Sequence, residues 1–263
     1  MRISGSTVLL TGASGGIGRA IAKAVADRGG TLIVSGRRGD VLDQLVAEHG
    51  GRAVVADLAV RDDVERLARE AGDVDILLAN AALPASGTLD SFTSREIDRA
   101  LDVNLRAPIM LAKEFAPRMV AQGRGHLLFV SSILGKFSQP SAAVYCASKF
   151  GLRGFAGSLR ADLHQTEVGV TVVFPGIIRD AGMFADANVD VPAGLQTNSP
   201  DDVARAVVRA VEKNRAEVDV AALPARMLAT VGGVAPGLLA GLTRLIGADD
   251  MIVELAAGQR NKR

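Results

Sequence analysis

The sequence predicts an α/β fold, one domain with a doubly wound, parallel sheet of about seven strands and helices on both faces. Three observations point there. Short runs rich in Val, Leu and Ile recur along the chain, and helical periodicities lie between them. Most of the runs are continuously apolar rather than alternating, as strands covered on both faces require. No linker-like stretch or internal repeat divides the chain, and regular strand–helix alternation implies right-handed crossovers.

Taken in order, the strands are "VLLT" from Val8, "TLIVSG" from Thr31, "RAVVAD" from Arg52 and "DILLAN" from Asp75. "HLLFVSS" from His126, "VTVVFPG" from Val170 and "AEVDVAAL" from Ala216 complete the sheet. Between the first two, Ile17, Ile21, Ala24 and Val25 recur at helical spacing until Gly29 stops the pattern. "DVLDQLVAEHG" and "DDVERLAREAG" behave alike. Residues 93–122 are helical in pattern, with Pro108 and Pro117 expected to kink or divide them. "SAAVYCASKFGLRGFAGSLRADL" reads as one further helix.

Bulk properties narrow the function. With 263 residues, 48% of them apolar, the chain can bury a sizeable core without metals or crosslinks. A net charge of +1, with acids and bases intermixed, gives no electrostatic reason for a nucleic-acid partner. Cys146 is the only cysteine, so no intrachain disulfide forms, which fits a reducing, cytoplasmic setting. The N-terminus is too short and interrupted in its apolar run to read as a signal peptide. Met227 to Thr243 lacks acids and is the most membrane-like stretch, but glycines and Pro236 interrupt it, so no integral span is expected. His49, His126 and His164 are scattered without a second ligand at metal spacing, and solvated or capping roles are expected of them.

The first strand runs into "TGASGGIG", which sets Gly12, Gly15, Gly16 and Gly18 between strand and helix. Glycines there permit a tight turn, admit a pyrophosphate to the backbone, and bring helix against sheet. Free N–H groups and the helix dipole then meet the anion. The pattern is neither G-x-G-x-x-G nor a P-loop. Further on, the only tyrosine, Tyr145, stands four residues before Lys149, so the two share a helix face. A free phenol, with pKa near 10, is a poor base at neutral pH, and lowering it by two or three units takes about 3 to 4 kcal/mol. An ammonium about 4 Å away supplies Coulomb energy of that order at an effective dielectric near 20.

Glycine turn and Tyr-Lys pair together resemble the short-chain dehydrogenase/reductase family over roughly residues 5 to 222, which implies a Rossmann-type fold. Gly12, Gly16 and Gly18 fit its compact subgroup; Gly12, Gly15 and Gly18 fit its longer, epimerase-like one. Chain length and the "NAA" and "SSI" segments favour the compact form. The chemistry implied is hydride transfer between a nicotinamide and a ketone, aldehyde or secondary alcohol. Tyr145 exchanges the proton, and Lys149 tunes the phenol and holds the nicotinamide ribose. Ser132, thirteen residues before Tyr145, matches the serine that orients substrate oxygen, and Asn104 matches an asparagine that bonds a water linking the lysine to solvent.

The resemblance also implies a nucleotide cradle of Gly12, Ser14, Gly16, Ile17 and Gly18, with Asp57 and Leu58 at the adenine and Asn80 bracing the fourth strand. Pro175, Gly176 and Ile178 would lie at the nicotinamide. The family often has a threonine four residues after that glycine, where this chain has Asp180. "TLIVSGRRGD" ends the second strand in Arg37 and Arg38 where an acid would select NAD. Arg37 therefore predicts NADP(H) ahead of NAD(H), since a guanidinium offers forked donors to a 2′-phosphate.

Residues 181–200 read as a lid over the substrate, with Met183 and Phe184 apolar enough to meet a hydrophobic ligand. Residues 1–223 make up the catalytic and dinucleotide-binding domain. Residues 224–263 form an apolar extension, packed on that domain, on a partner subunit or on a lipid surface. By analogy the chain assembles as a homodimer or homotetramer. Two other functions compete: a non-catalytic nicotinamide-nucleotide sensor or scaffold of the same fold, and a tight NAD-binding epimerase. The complete Ser132, Tyr145 and Lys149 set argues against the first, and the lack of room for a sugar-nucleotide domain against the second.

Overall fold

The computed structural model describes residues 1–180 and 196–235. Seven parallel strands form one sheet in the order β3-β2-β1-β4-β5-β6-β7. They are β1 Thr7–Thr11, β2 Thr31–Gly36, β3 Arg52–Val55, β4 Ile76–Ala79, β5 Gly125–Val130, β6 Val168–Pro175 and β7 Glu217–Val220. All seven fall on the apolar runs read from the sequence. The helices are α1 Gly16–Ala26, α2 Gly39–His49, α3 Arg61–Ala71, α4 Ser94–Leu101, α5 Ala107–Ala121, α6 Ala143–Asp162, α7 Pro200–Glu212 and α8 Leu223–Val234.

Continuous apolar strands feed two cores, one on each face. Leu9, Leu77, Leu127, Phe129, Val172 and Phe174 meet α3, α5 and α6 through Leu67, Phe115 and Leu152. Val8, Leu10, Ile76, Leu78, Leu128 and Val173 meet α1, α2 and α7 through Ile21, Leu42 and Val207. Successive side chains point to opposite faces, so each strand needs both parities apolar. Burying each large aliphatic side chain contributes roughly 1.5–3 kcal/mol.

Two local features differ from the sequence reading. The division between α4 and α5 is a π-helical turn over Asp102–Arg106, just before Pro108, which lies in the first turn of α5. Pro117 sits inside α5 without dividing it. The second is α7, opened by Ser199: its hydroxyl accepts from Asp202 N–H, the Asp202 carboxylate accepts from Ser199 N–H, and Pro200 starts the helix.

Strand order reverses at β1, whose neighbours are β2 and β4, so a crevice opens beyond their carboxyl ends. Thr11 pairs with Ala79, Ala79 with Phe129, and Val130 with Val173. The segments leaving β1, β4, β5 and β6 therefore gather on one edge of the sheet. The packing of α8 is against the turn that follows β5, where Ala229 is buried and a Cβ on Gly233 would sit 3.6 Å from the Lys136 carbonyl. The expected lid, apart from residues 196–200, and residues 236–263 of the extension lie outside the described residues. Among the described residues, no helix is long and apolar enough to cross a membrane, and no cluster of His, Cys, Asp and Glu is placed to hold a metal.

Candidate active site

The glycine turn is set by close approach. Gly12 has φ +66°, and a Cβ there would fall 2.6 Å from Ala81 Cα; a Cβ on Gly18 would fall 2.2 Å from the Gly12 carbonyl oxygen. Both positions thus admit only glycine. Gly15 N–H donates to Gly12 O at 3.2 Å, and Gly15 and Gly16 are exposed. No side chain caps α1 and no acid stands in its first turn, which leaves its N–H groups and positive dipole end to an external anion. A pyrophosphate fits such a cradle. Ser14 and Ile17 are half-buried beside it. Asn80 braces the turn: its amide donates to the Thr11 and Gly12 carbonyls at 3.2 and 3.1 Å. Thr11 Oγ1 returns the tie by accepting from the N–H groups of Asn80 and Ala81.

Beyond β2, Arg38 donates to the Ser14 carbonyl at 2.7 Å, fixing one guanidinium against the glycine turn. Arg37 is exposed, with no ion pair or hydrogen bond among the described residues. Asp57 is half-buried and already partnered, accepting from Ala59 N–H and from Arg99 of α4, each at 3.0 Å. The Leu58 side chain packs into the core with α3, so any ligand contact at that residue comes through its backbone.

The proton-transfer candidates meet between β5 and α6. Tyr145 and Lys149 stand one helical turn apart, 6% and 1% exposed. Ser132 faces Tyr145 closely enough to act on its phenol. Ser132 Oγ accepts from Leu134 N–H at 3.2 Å, which leaves its own proton for the phenol. Lys149 Nζ donates to the Val130 carbonyl at 3.2 Å and lies 5.6 Å from the Tyr145 ring centroid. Residues not singled out from sequence hold this geometry. Ser131 Oγ donates to the Lys149 carbonyl, and Ser148 Oγ to the Tyr145 carbonyl. A Cβ on Gly135 would meet Ser131 Oγ at 2.7 Å and Lys149 O at 2.9 Å, so glycine lets the serine turn press against α6. Such ties link side chains to distant backbone and leave no spacing pattern; the "SS" and "SK" pairs are their only trace.

Asn104 lies in the π-helical turn, fully buried, with its amide committed to Leu83: Oδ1 accepts from Leu83 N–H at 2.7 Å and Nδ2 donates to Leu83 O at 3.0 Å. Its Nδ2 also approaches Ser148 Oγ at 3.5 Å. Pro175 ends β6, Gly176 N–H donates to Val220 O, and Ile178 is buried and pairs with Asn198. Asp180 stands off this wall, its side chain 75% exposed and paired with Arg179 at 3.4 Å.

Electrostatics correct one expectation. Burial pushes the Tyr145 phenol above its ordinary value, the Ser132 hydroxyl opposes this, and Lys149 is not among the causes. Burial also lowers the Lys149 amine to about 8, so it stays charged at neutral pH and gives up its proton more readily than a solvated lysine. Desolvation is the leading influence on the phenol and favours its protonated form. His126 overturns another expectation. It is buried rather than solvated or capping, its Nε2 is 2.9 Å from Thr171 Oγ1, and burial lowers its pKa to about 3. Cys146 is buried, which raises its thiol.

Comparison with known proteins gives the family and the fold. Residues 6–191 match the family model described as short chain dehydrogenase. A curated relative, the ketoacyl reductase HetN of a Nostoc species, is 32% identical over 94% of this chain and 91% of its own. Dehydrogenase/reductase SDR family member 7B of Xenopus tropicalis is 34% identical over 88% of this chain and 82% of its own. Among solved structures, a short-chain dehydrogenase from Sphingobium yanoikuyae in complex with NADPH superposes with a TM-score of 0.77, 27% identical, covering 89% of this chain and 95% of that one.

Proposed function

The chain belongs to the short-chain dehydrogenase/reductase family, and on that premise we propose that it is an NADP(H)-dependent reductase of a hydrophobic ketone or aldehyde. The observation behind this is the meeting of Ser132 with Tyr145 and Lys149, both buried and one helical turn apart, on the sheet edge that holds the glycine turn. The bound nicotinamide supplies hydride to the carbonyl carbon or accepts it from the alcohol. Ser132 and Tyr145 hold the carbonyl oxygen, and Tyr145 gives it a proton as negative charge develops there. A phenol kept protonated by burial is the form that reduction uses. Lys149, tied to Val130, would hold the nicotinamide ribose and replenish the phenol proton.

Gly12, Ser14, Gly16, Ile17 and Gly18 would seat the pyrophosphate, and Asp57, Leu58 and Asn80 would flank the adenosine half. Pro175, Gly176 and Ile178 would wall the nicotinamide. Arg37 supports NADP(H) because its guanidinium is uncommitted, with Arg38 beside it already bound to the turn. Asn104 would act through its backbone or through Ser148, since Leu83 occupies its amide. The Nostoc relative's name makes a ketoacyl thioester the first substrate to try.

The test is nicotinamide oxidation with a panel of ketones, aldehydes and ketoacyl thioesters. NADPH should support turnover better than NADH, and Arg37→Ala should shrink that preference about tenfold, the worth of one charge-assisted contact. Tyr145→Phe should abolish turnover while retaining NADPH binding. Nucleotide binding without turnover of any carbonyl or alcohol would favour a sensor instead.

A further inference from the structure

We propose that Lys136 is a positioning residue that holds the turn carrying Ser132 in register with Tyr145, by anchoring that turn to the outer edge of the sheet. Lys136 follows directly on the tight turn Ile133–Gly135. Its side chain is 12% exposed, and its ammonium lies 2.6 Å from Asp219 Oδ1 and 3.0 Å from Glu217 Oε2, both on β7. The same ammonium stands 4.2 Å from the ring centroid of Phe174 on β6. Asp219 Oδ1 is buried without a hydrogen-bond partner among the described residues, and the Lys136 ammonium is the nearer of the two cations facing this carboxylate, Arg226 standing 3.9 Å from Oδ2. Glu217 is shared with α6: Arg153, one turn beyond Lys149, donates to it through Nε at 2.6 Å and Nη2 at 3.1 Å.

This network joins the serine turn and the helix bearing Tyr145 to one rigid support, since β7 is paired to β6 at Glu217 and Asp219. The turn transmits the anchor. Gly135 N–H donates to Ser132 O at 2.8 Å and Lys136 N–H to Ile133 O at 2.9 Å, so displacing residue 136 displaces Ser132. Removing Lys136 leaves the half-buried Asp219 carboxylate with only the more distant Arg226 and frees the segment that bore the ammonium. No hydrogen bond or ion pair among the described residues joins Lys136 to Tyr145 or Ser132, and the backbone bonds of the turn are its shortest route to the site.

The inference rests on Ser132 and Tyr145 being the proton-transfer pair, and two readouts keep the questions apart. Tyr145 is the only tyrosine in a chain without tryptophan, so the tyrosine near-ultraviolet circular dichroism band reports its setting whether or not a substrate is known. Lys136→Met should weaken that band as Ser132→Ala does, and Lys136→Arg should restore it. In turnover, Lys136→Met should lower kcat about tenfold, the scale of lost alignment, with KM for NADPH unchanged. Added to Ser132→Ala it should cost nothing more. If Lys136→Met fails to fold, Asp219→Asn removes the same pairing and should move both readouts in the same direction. An unaltered band, or a kcat loss that multiplies fully onto that of Ser132→Ala, overturns the proposal. A wild-type protein without turnover counts against the reductase alone, because the band still decides the role of Lys136.

Discussion

At the scale of single residues, the Tyr145–Lys149 pair and Ser132 were legible because spacing on a helix and at a strand end fixes which side chains meet. Their charge states were not, since these depend on burial that no local pattern encodes. Lys149 makes the point testable. Its amine titrates near 8 in the fold, against an ordinary 10.5 in the unfolded chain. Below pH 8 both states are protonated, and burying the ammonium costs about 3 kcal/mol. Between the two values the unfolded chain binds more protons, so stability from this residue rises with pH and levels off above the higher one. Lys149→Met should therefore stabilise the free protein at pH 7 by about 2 kcal/mol, after losing one hydrogen bond worth about 1 kcal/mol to Val130. Urea unfolding as a function of pH checks this. The advantage should fade as pH climbs from 8 past 10, and a variant equally stable at every pH would show that the ammonium is not desolvated.

At the scale of elements, all seven strands were legible because a strand covered on both faces needs an unbroken apolar run. The glycine turn was legible in kind, although which glycines are obligatory came only from the close approaches of Gly12 and Gly18. The π-helical turn at Asp102–Arg106 was not legible, because its extra residue is stabilised by the Asn104–Leu83 contact across the fold. The start of α7 was not read from the sequence, although "SPDD" carries its signal, a capping box with proline at the first helical position. The turn gives the sharpest prediction here. Gly18→Ala would set its Cβ 2.2 Å from the Gly12 carbonyl and 2.8 Å from Ala13 Cα, both backbone, so the strand–helix junction must open. Nucleotide affinity should fall by about a hundredfold or more, with a stability loss of roughly 1–3 kcal/mol, as overpacking costs. Intact NADPH binding by Gly18→Ala in a calorimetric titration would mean that the turn is not the phosphate cradle.

At the scale of the whole molecule, the order of the seven strands brings residues from four separate loops to one edge, which alternation and handedness implied before any contact was known. What a subunit does with its outer faces is a separate question, and α6 supplies the material for an answer. Its inner side packs Leu152 and Ala156 into the core, and the same helix bears Tyr145 and Lys149. Its outer side exposes Ala143, Ala147, Phe150, Gly154 and Gly157. A Cβ on Gly154 or Gly157 would meet nothing within 4 Å. Small side chains let another helix approach closely, and Phe150, 40% exposed, offers apolar area to bury. We infer that this face pairs with its own copy in a homodimer or homotetramer. In a two-fold interface each residue acts twice, so one substitution weighs double. Gly157→Arg should move the sedimenting mass from a multiple of the chain to a single chain at micromolar concentration. Turnover should fall with it, because the helix inferred to pair also mounts Tyr145 and Lys149, whereas Val120→Arg on α5 should act more weakly. A wild-type protein that sediments as one chain would remove this face from the account and leave the site chemistry untouched.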